Sequence, residues 1–304
     1  MPKDQFDSIF QSNPEVALPD PAQLVGDLHA MQELLTSLDP GHGTPLPTPR
    51  PELTALLGHS GVEAAQNLAD IAARAAGFAD EDIPQEDLDT TLRPWQLLLD
   101  TVGTDGIRLT SAGWLPPAVV VRLREELGFE RPYGKGNREE FTVEVKNLRQ
   151  SATRAGLVRR AKGRLVLTKF GQLCRDSQNE LIYAVAQSLV RDDVEFDQDT
   201  RVVTLLFVAA DWKIGPDSRR AADAAARGVD LSPFDILHSF EDDVAHMLHD
   251  IGWQVEGQRP PNADDVRPPV VRVLNRLGAG HGKEFEVPSS PAIRKLARLA
   301  LFEQ

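Results

Sequence analysis

The chain has 304 residues, of which 41% are hydrophobic and 26% charged, the composition of a soluble globular protein with room for two or three domains. Its apolar runs, for example Val202–Ala210, are too short to cross a bilayer, and no signal peptide is predicted at its start. The single cysteine, Cys174, excludes an internal disulfide framework and favours a cytoplasmic location, while the net charge of −13 argues against indiscriminate nucleic-acid binding.

The N-terminal part is predicted to contain two helical segments joined by irregular chain. In residues 1–52, apolar side chains recur at helical spacing over Pro21–Leu38. The proline-rich stretch Asp39–Pro51 that follows is predicted to be a linker or an arm laid over a neighbouring element. Residues 53–91 contain an alanine-rich helix and then a predicted acidic connector, Asp80–Asp89.

Residues 92–190 are predicted to form a central domain. Its elements in chain order are a helix at Pro94–Val102, a strand at Gly106–Leu109, helices at Pro117–Leu127 and Phe141–Ala155, a hairpin, and a helix from Gly171 to Val190 with a break. Residues 101–175 carry a net charge of +8, whereas the rest of the chain carries −21. Such a basic island either attracts a polyanion or docks onto acidic parts of the same chain.

Residues 191–304 are predicted to be mostly helical. The candidate helices are Thr200–Asp211, Ser232–Ile251, Val266–Leu277 and Pro291–Leu301. Together with the central elements they predict a mainly α protein that contains short β-hairpins.

The stretch Gly156–Gln172 (GLVRRAKGRLVLTKFGQ) combines a helix end, a two-stranded hairpin and the start of another helix. The tight turn lies at Ala161–Arg164, and a Leu-Thr-x-x-Gly motif begins the next helix. This pattern resembles the wing region of winged helix-turn-helix proteins, such as MarR-like bacterial regulators. The resemblance implies a winged-helix domain in residues 92–190, with Phe141–Ala155 as its recognition helix.

A weaker internal echo accompanies this pattern. Ile107–Leu115 matches Leu165–Leu173 as apolar-x-Leu-Thr-x-x-Gly-x-Leu, and Phe285–Pro291 repeats the strand-to-helix order without the motif. The echo predicts winged-helix units in tandem, with a further unit in the C-terminal part. Over a longer span, which extends to Ile251–Trp253, the order of motifs resembles uncharacterised actinobacterial proteins, some of them plasmid-associated. That resemblance implies an architecture and no activity.

The winged-helix interpretation predicts which side chains contact double-stranded DNA. Apolar residues of the helix before the hairpin fall on one side, so its polar residues face outwards, where they can donate to phosphates or pair with base edges. The predicted DNA-contacting residues are Lys146, Asn147, Gln150, Thr153 and Arg154 on this helix and Arg159, Arg160, Lys162 and Arg164 on or beside the hairpin.

Three acidic residues support an alternative. Glu139, Glu140 and Glu144 lie at the N-terminal end of the same helix, where the helix dipole favours them but where they would repel phosphates. The alternative function is a protein-interaction scaffold that uses winged-helix folds as packing modules, without catalysis. Winged-helix regulators often act as dimers, yet no heptad pattern predicts an oligomer here.

No complete catalytic motif is present, so the chain is predicted not to be an enzyme and to hold no cofactor. Neither Gly-x-Ser-x-Gly nor His-Glu-x-x-His occurs, and Cys174 is interpreted as a buried thiol. A remote alternative is a metal-dependent hydrolase, because four residues that can bind zinc fall within about 80° on one predicted helix. These residues are His238, Asp242, His246 and His249. No further ligand on another element is evident.

Overall fold

The computed structural model describes residues 47–78, 82–129, 136–190, 194–213, 233–255, 258–277 and 290–303, together with positions 226 and 228. Within these residues the protein is mainly helical with one small antiparallel sheet, which confirms the predicted mainly α class. The predicted helix at Pro21–Leu38 and the predicted strand-to-helix junction at Phe285–Val287 lie outside the described residues.

The helices and strands are, in chain order, α1 (Pro51–His59), α2 (Val62–Ala76), α3 (Gln85–Val102), β1 (Ile107–Arg108), α4 (Pro117–Glu126), a 3-10 turn (Glu139–Phe141), α5 (Val143–Arg154), β2 (Val158–Ala161), β3 (Arg164–Leu167), α6 (Lys169–Asp176), α7 (Gln178–Val190), α8 (Glu195–Ala209), α9 (Pro233–Asp250), α10 (Ala263–Leu277) and α11 (Pro291–Leu301). The chain divides into two compact units. The helical unit falls within residues 1–81, 190–273 and 297–304, and the sheet unit within residues 82–189 and 274–296.

The acidic connector predicted at Asp80–Asp89 is wrong for its second half, because α3 begins at Gln85. Glu86 and Asp87 lie in the first turn of this helix, where the positive end of the helix dipole stabilises carboxylates. Pro94 therefore lies inside the helix rather than at its start. Thr91 and Leu92, one turn before the proline, are already buried, and this packing outweighs the backbone hydrogen bond that the proline removes.

The helical unit is built around α8, whose residues from Asp199 to Ala209 are all buried. Helices α1, α2 and α9 pack against it, so nearly every side of it is buried, including the polar residues Asp199, Thr200, Arg201 and Thr204. The end of the predicted proline-rich arm pairs with the last residues of the chain. Arg50 N–H donates to the Leu301 carbonyl at 2.8 Å, and Glu303 N–H donates to the Thr48 carbonyl at 2.7 Å.

Asp199 is a carboxyl group in the core of the helical unit. It is 8% exposed and accepts a hydrogen bond from Trp253 Nε1 at 2.9 Å. Burial raises the pKa of Asp199 to about 6, and Glu195 adds to the increase, while the Trp253 hydrogen bond and the nearby His59 oppose it. The folded protein therefore binds this proton more tightly than the unfolded chain does.

We expect Asp199→Asn to stabilise the protein above pH 6. Because the folded-state pKa of about 6 exceeds the usual 3.8, the unfolded chain loses its proton first, and stability falls as pH rises from about 4 to about 6. Ionisation of this carboxyl costs up to about 3 kcal/mol. The asparagine still accepts from Trp253 but does not ionise. Urea unfolding of both proteins at pH 4.5, 6 and 7.5 measures the difference, with the exposed Asp250→Asn as control. A pH-independent difference would contradict the prediction.

The sheet unit is organised around α3, which contacts α4, α5, α6 and β3. Its three strands lie in the order β1-β3-β2 and all neighbours are antiparallel. Ala161 pairs with Arg164, so only Lys162 and Gly163 connect β2 to β3. Both residues have positive φ, 47° and 73°, as a two-residue hairpin turn requires. The predicted turn is confirmed.

The Leu-Thr-x-x-Gly motif after β3 joins the hairpin to α6. Thr168 caps α6, because its hydroxyl accepts from Gly171 N–H at 2.8 Å. The same hydroxyl donates to the Gly156 carbonyl at 2.6 Å. Gly171 lies directly against the backbone of Leu157, and a Cβ there would overlap the Leu157 carbonyl.

The first two copies of the sequence echo belong to one sheet rather than to two separate units, since Ile107 pairs with Leu165. The motif also has a different structural role in the first copy. The Thr110 hydroxyl accepts from Trp114 N–H at 3.0 Å in a turn, and the next helix begins only at Pro117. Gly113 in this turn has a φ of 81° and lies against the guanidinium of Arg160.

Candidate nucleic-acid interface

Helix α5 buries one side in the sheet unit, as the sequence predicts. Val145, Leu148 and Ala152 are at most 8% exposed. Two polar residues, Arg149 and Ser151, are also buried on this side. The buried side is therefore wider than the predicted apolar stripe.

The opposite side of α5 carries the polar residues that the sequence predicts to contact DNA. At 100° per residue, all of them fall within an arc of about 120°. We call this set the α5 face; its members are Lys146, Asn147, Gln150, Thr153 and Arg154. Gln150, Thr153 and Arg154 are exposed, while Lys146 and Asn147 are half-buried. The Thr153 hydroxyl donates to the Arg149 carbonyl at 2.9 Å, which leaves it only as an acceptor for a ligand.

Glu139, one of the three glutamates predicted to repel phosphates, is not available to do so. It is 1% exposed in the 3-10 turn before α5. One carboxylate oxygen accepts from Leu115 N–H at 2.7 Å, and the other accepts from Arg149 Nε. Arg149 also lies over the Trp114 ring, 5.7 Å from its centroid. This buried pair holds the start of α5 to the turn after β1.

The other two glutamates lie outside the α5 face. Glu140 is exposed and pairs with Arg138 at 3.5 Å, an interaction that neutralises part of its charge. Glu144 is half-buried and, by helical phase, about 100° from Val143 and outside the arc of the α5 face. Neither carboxylate lies among the side chains of the α5 face.

The four basic residues of the hairpin are all exposed but are not directed to one place. Arg159 and Arg160 are neighbours in β2 and so lie on opposite sides of the sheet. Arg160 shares the side of the buried Leu165, and its guanidinium lies at Gly113. Lys162 occupies the turn itself.

Arg164 is hydrogen-bonded to backbone carbonyl groups of the same unit. Its guanidinium donates to the Asp105 carbonyl at 2.7 Å and to the Gly106 carbonyl at 2.9 Å. These bonds hold the loop before β1 against β3. Four hairpin residues are predicted to contact DNA. Within the described residues, Arg159 and Lys162 are the two of them for which no comparable contact with the protein's own backbone is found.

Two exposed residues near these side chains are not among the DNA-contacting residues predicted from the sequence. Arg108 in β1 lies opposite Arg164 in the strand register. Arg108, Arg159 and Arg164 therefore share the outer side of the sheet. The position of Arg108 beside the hairpin arginines depends on the pairing of β1 with β3, across 56 positions of sequence. Val143, at the first position of α5, is 56% exposed and lies within the arc of the α5 face. Its helical phase was readable from the sequence.

The charge of this surface is not cancelled by the carboxylates that the structure describes. Within the described ranges, none of the basic side chains predicted to contact DNA forms an ion pair. Among the described residues, the basic side chains of the α5 face and the hairpin therefore keep their positive charge unpaired.

The metal-site candidates on α9 are not gathered into a site. His238 lies beside the fully buried Glu241, and Arg267 Nη2 lies 2.9 Å from His238 Nδ1. A guanidinium at this position opposes a metal cation. His246 and His249 are exposed and Asp242 is half-buried. In the part of the chain that the structure describes, no group of three or more His, Cys, Asp or Glu residues is placed to hold a metal ion.

Cys174 is fully buried in α6, as the sequence predicts. Burial raises the pKa of its thiol to about 11, and Glu180 adds to the increase. The thiol is therefore protonated at neutral pH and is a poor nucleophile.

Comparison with protein-family models, with curated proteins and with solved structures finds no match for this chain. Among the described helices, none combines the length and the apolar character needed to span a membrane.

Proposed function

We propose that the sheet unit is a winged-helix domain that binds double-stranded DNA, with α5 as its recognition helix and the β2–β3 hairpin as its wing. The observation that carries the proposal is the α5 face, an exposed polar helix surface beside a cationic hairpin with no ion pair to a described carboxylate. Amide and guanidinium groups in this arrangement suit contacts to base edges and phosphates.

The order of elements supports the fold part of the proposal. Helix, strand, helix, helix and then two hairpin strands follow one another from α3 to β3, and the first strand pairs with the last. In helix-turn-helix proteins the second helix of the motif lies in the major groove, and α5, which directly precedes the hairpin, takes that position in the proposed domain.

The buried pair of Glu139 and Arg149 supports the functional part. It removes the Glu139 carboxylate from contact with solvent, and it satisfies an arginine that would otherwise lie unpaired in the core. The end of α5 that would approach DNA is therefore less acidic than its sequence indicates.

We expect the double variant Arg154→Glu/Arg159→Glu to bind duplex DNA on the order of 100-fold more weakly, about 1.4 kcal/mol for each reversed charge. Both side chains are exposed without a described ion pair, so the unit should still fold. Fluorescence anisotropy with a pool of random 30-base-pair duplexes measures the affinity between 50 and 300 mM KCl.

The salt dependence adds a second readout. If about five phosphates are neutralised, a plot of log binding constant against log salt concentration should have a slope of about −4 to −5 for the unaltered protein. For the variant, the magnitude of this slope should be smaller by about 2. Arg74→Glu, a single charge reversal at an exposed arginine of the helical unit, is the control for the effect of each reversed charge and should change neither value substantially. An affinity that hardly depends on salt, or equal losses in variant and control, would overturn the proposal.

A second candidate function is the protein-interaction scaffold. The observation in its favour is the pair Phe170 and Leu173 on α6, which are 40% and 52% exposed one helical turn apart. Under this hypothesis the unaltered protein shows no salt-dependent DNA binding. The same anisotropy titration therefore separates the two functions.

A further inference from the structure

The first turn of α5 exposes an apolar side chain within the arc of the α5 face. Val143 is 56% exposed, so it contributes little to the core. Its branched Cβ also makes it a poorer helix former than alanine or the polar residues that usually occupy exposed helix positions. A ligand that buries this side chain would account for it.

Val143 lies in the middle of the α5 face. Taking Val143 as zero on the helical wheel, Gln150 and Arg154 lie about 20° to either side and Asn147 about 40° away. A surface that binds these polar side chains therefore also covers Val143. Val143 is moreover at the N-terminal end of α5, the end whose residues contact base edges in helix-turn-helix proteins.

The three side chains extend over a short length of the helix. Asn147 lies about 6 Å and Gln150 about 10.5 Å further along the α5 axis than Val143. Base pairs in duplex DNA follow one another every 3.4 Å, so the three side chains span about three base-pair steps. Asn and Gln pair through two hydrogen bonds with adenine, and the only apolar group that the major groove offers is the C5-methyl group of thymine.

We propose that Val143 contacts a thymine C5-methyl group and that the α5 face reads a site rich in A·T pairs, with adenines opposite Asn147 and Gln150. The inference rests on the proposed function and names its target class. The positive charge around the face favours a nucleic acid over an apolar protein surface as the group that covers Val143.

The test uses the full chain and duplexes that it selects from a random 20-base-pair library in 150 mM KCl. Each thymine of the selected duplex is replaced in turn by deoxyuridine, which removes only the methyl group, and the affinity is measured by fluorescence anisotropy. We expect one position at which deoxyuridine weakens binding about fourfold, the value of one buried methyl group. With Val143→Ala the thymine and deoxyuridine duplexes should bind equally.

The matched control is Leu173→Ala, which also truncates an exposed apolar side chain of the sheet unit and should keep the fourfold difference. An undiminished thymine preference in Val143→Ala, or no sensitive thymine at all, would overturn this inference and leave DNA binding intact. If the unaltered protein binds the duplexes of the library no more tightly than the Arg154→Glu/Arg159→Glu variant does, the proposed function fails as well.

Discussion

Replacing Glu139 with alanine is expected to lower the free energy of unfolding by about 3–5 kcal/mol. The change leaves the guanidinium of Arg149, a residue that is 9% exposed, without its carboxylate and removes the acceptor of Leu115 N–H. An uncompensated buried charge and an unpaired backbone donor each carry a large desolvation penalty. Urea unfolding monitored by tryptophan fluorescence and by circular dichroism measures the loss.

A double variant distinguishes the ion pair from simple packing. In Glu139→Gln/Arg149→Met the amide still accepts from Leu115 N–H and no charge is buried, so most of the lost stability should return. Arg149→Met alone should be destabilising, because it leaves Glu139 buried and charged. Losses that simply add in the double variant would show that the two side chains are not coupled.

Replacing Gly171 with alanine is expected to destabilise the sheet unit by at least about 3 kcal/mol. The new Cβ would overlap the Leu157 carbonyl oxygen and lie 2.8 Å from its carbon, and both atoms belong to rigid backbone. Helix α6 would have to move away from Leu157, the residue before β2, which would break the Thr168 bridge between the Gly156 carbonyl and Gly171 N–H.

Gly61→Ala is the control for this substitution. Gly61 has a φ of −62° and no atom within 4 Å of an added Cβ, so we expect a loss below about 1 kcal/mol. Chemical denaturation of both variants gives the comparison. A Gly171→Ala protein as stable as the control would mean that α6 does not lie against Leu157 as described.

Local patterns in the sequence were sufficient for most helices and for the hairpin. The bounds of α11 agree with the prediction, and the break between α6 and α7 falls inside the predicted helix from Gly171 to Val190. The turn at Lys162 and Gly163 could be predicted because two adjacent residues with positive φ restrict the choice of side chains. The polar face of α5 followed from helical periodicity alone.

The candidate site was only partly predictable. The membership of the α5 face needs only the helical phase, yet the roles of the hairpin arginines depend on what lies beside each of them. Arg160 lies at Gly113 and Arg164 is bonded to the Asp105 and Gly106 carbonyls, and these partners are far from the hairpin in sequence. The DNA-contacting roles themselves stay predictions until binding is measured.

By itself, then, the amino-acid sequence determined the mainly helical class, the two-residue turn and the polar surface of α5, because each depends on residues within one or two turns of chain. Tertiary structure alone decided that Glu139 is an interior partner of Arg149, that β1 pairs with β3, and that Gly171 allows α6 to approach the backbone of Leu157. These features arise from contacts between distant segments, and whether a charge is buried or exposed depends on which segment covers it.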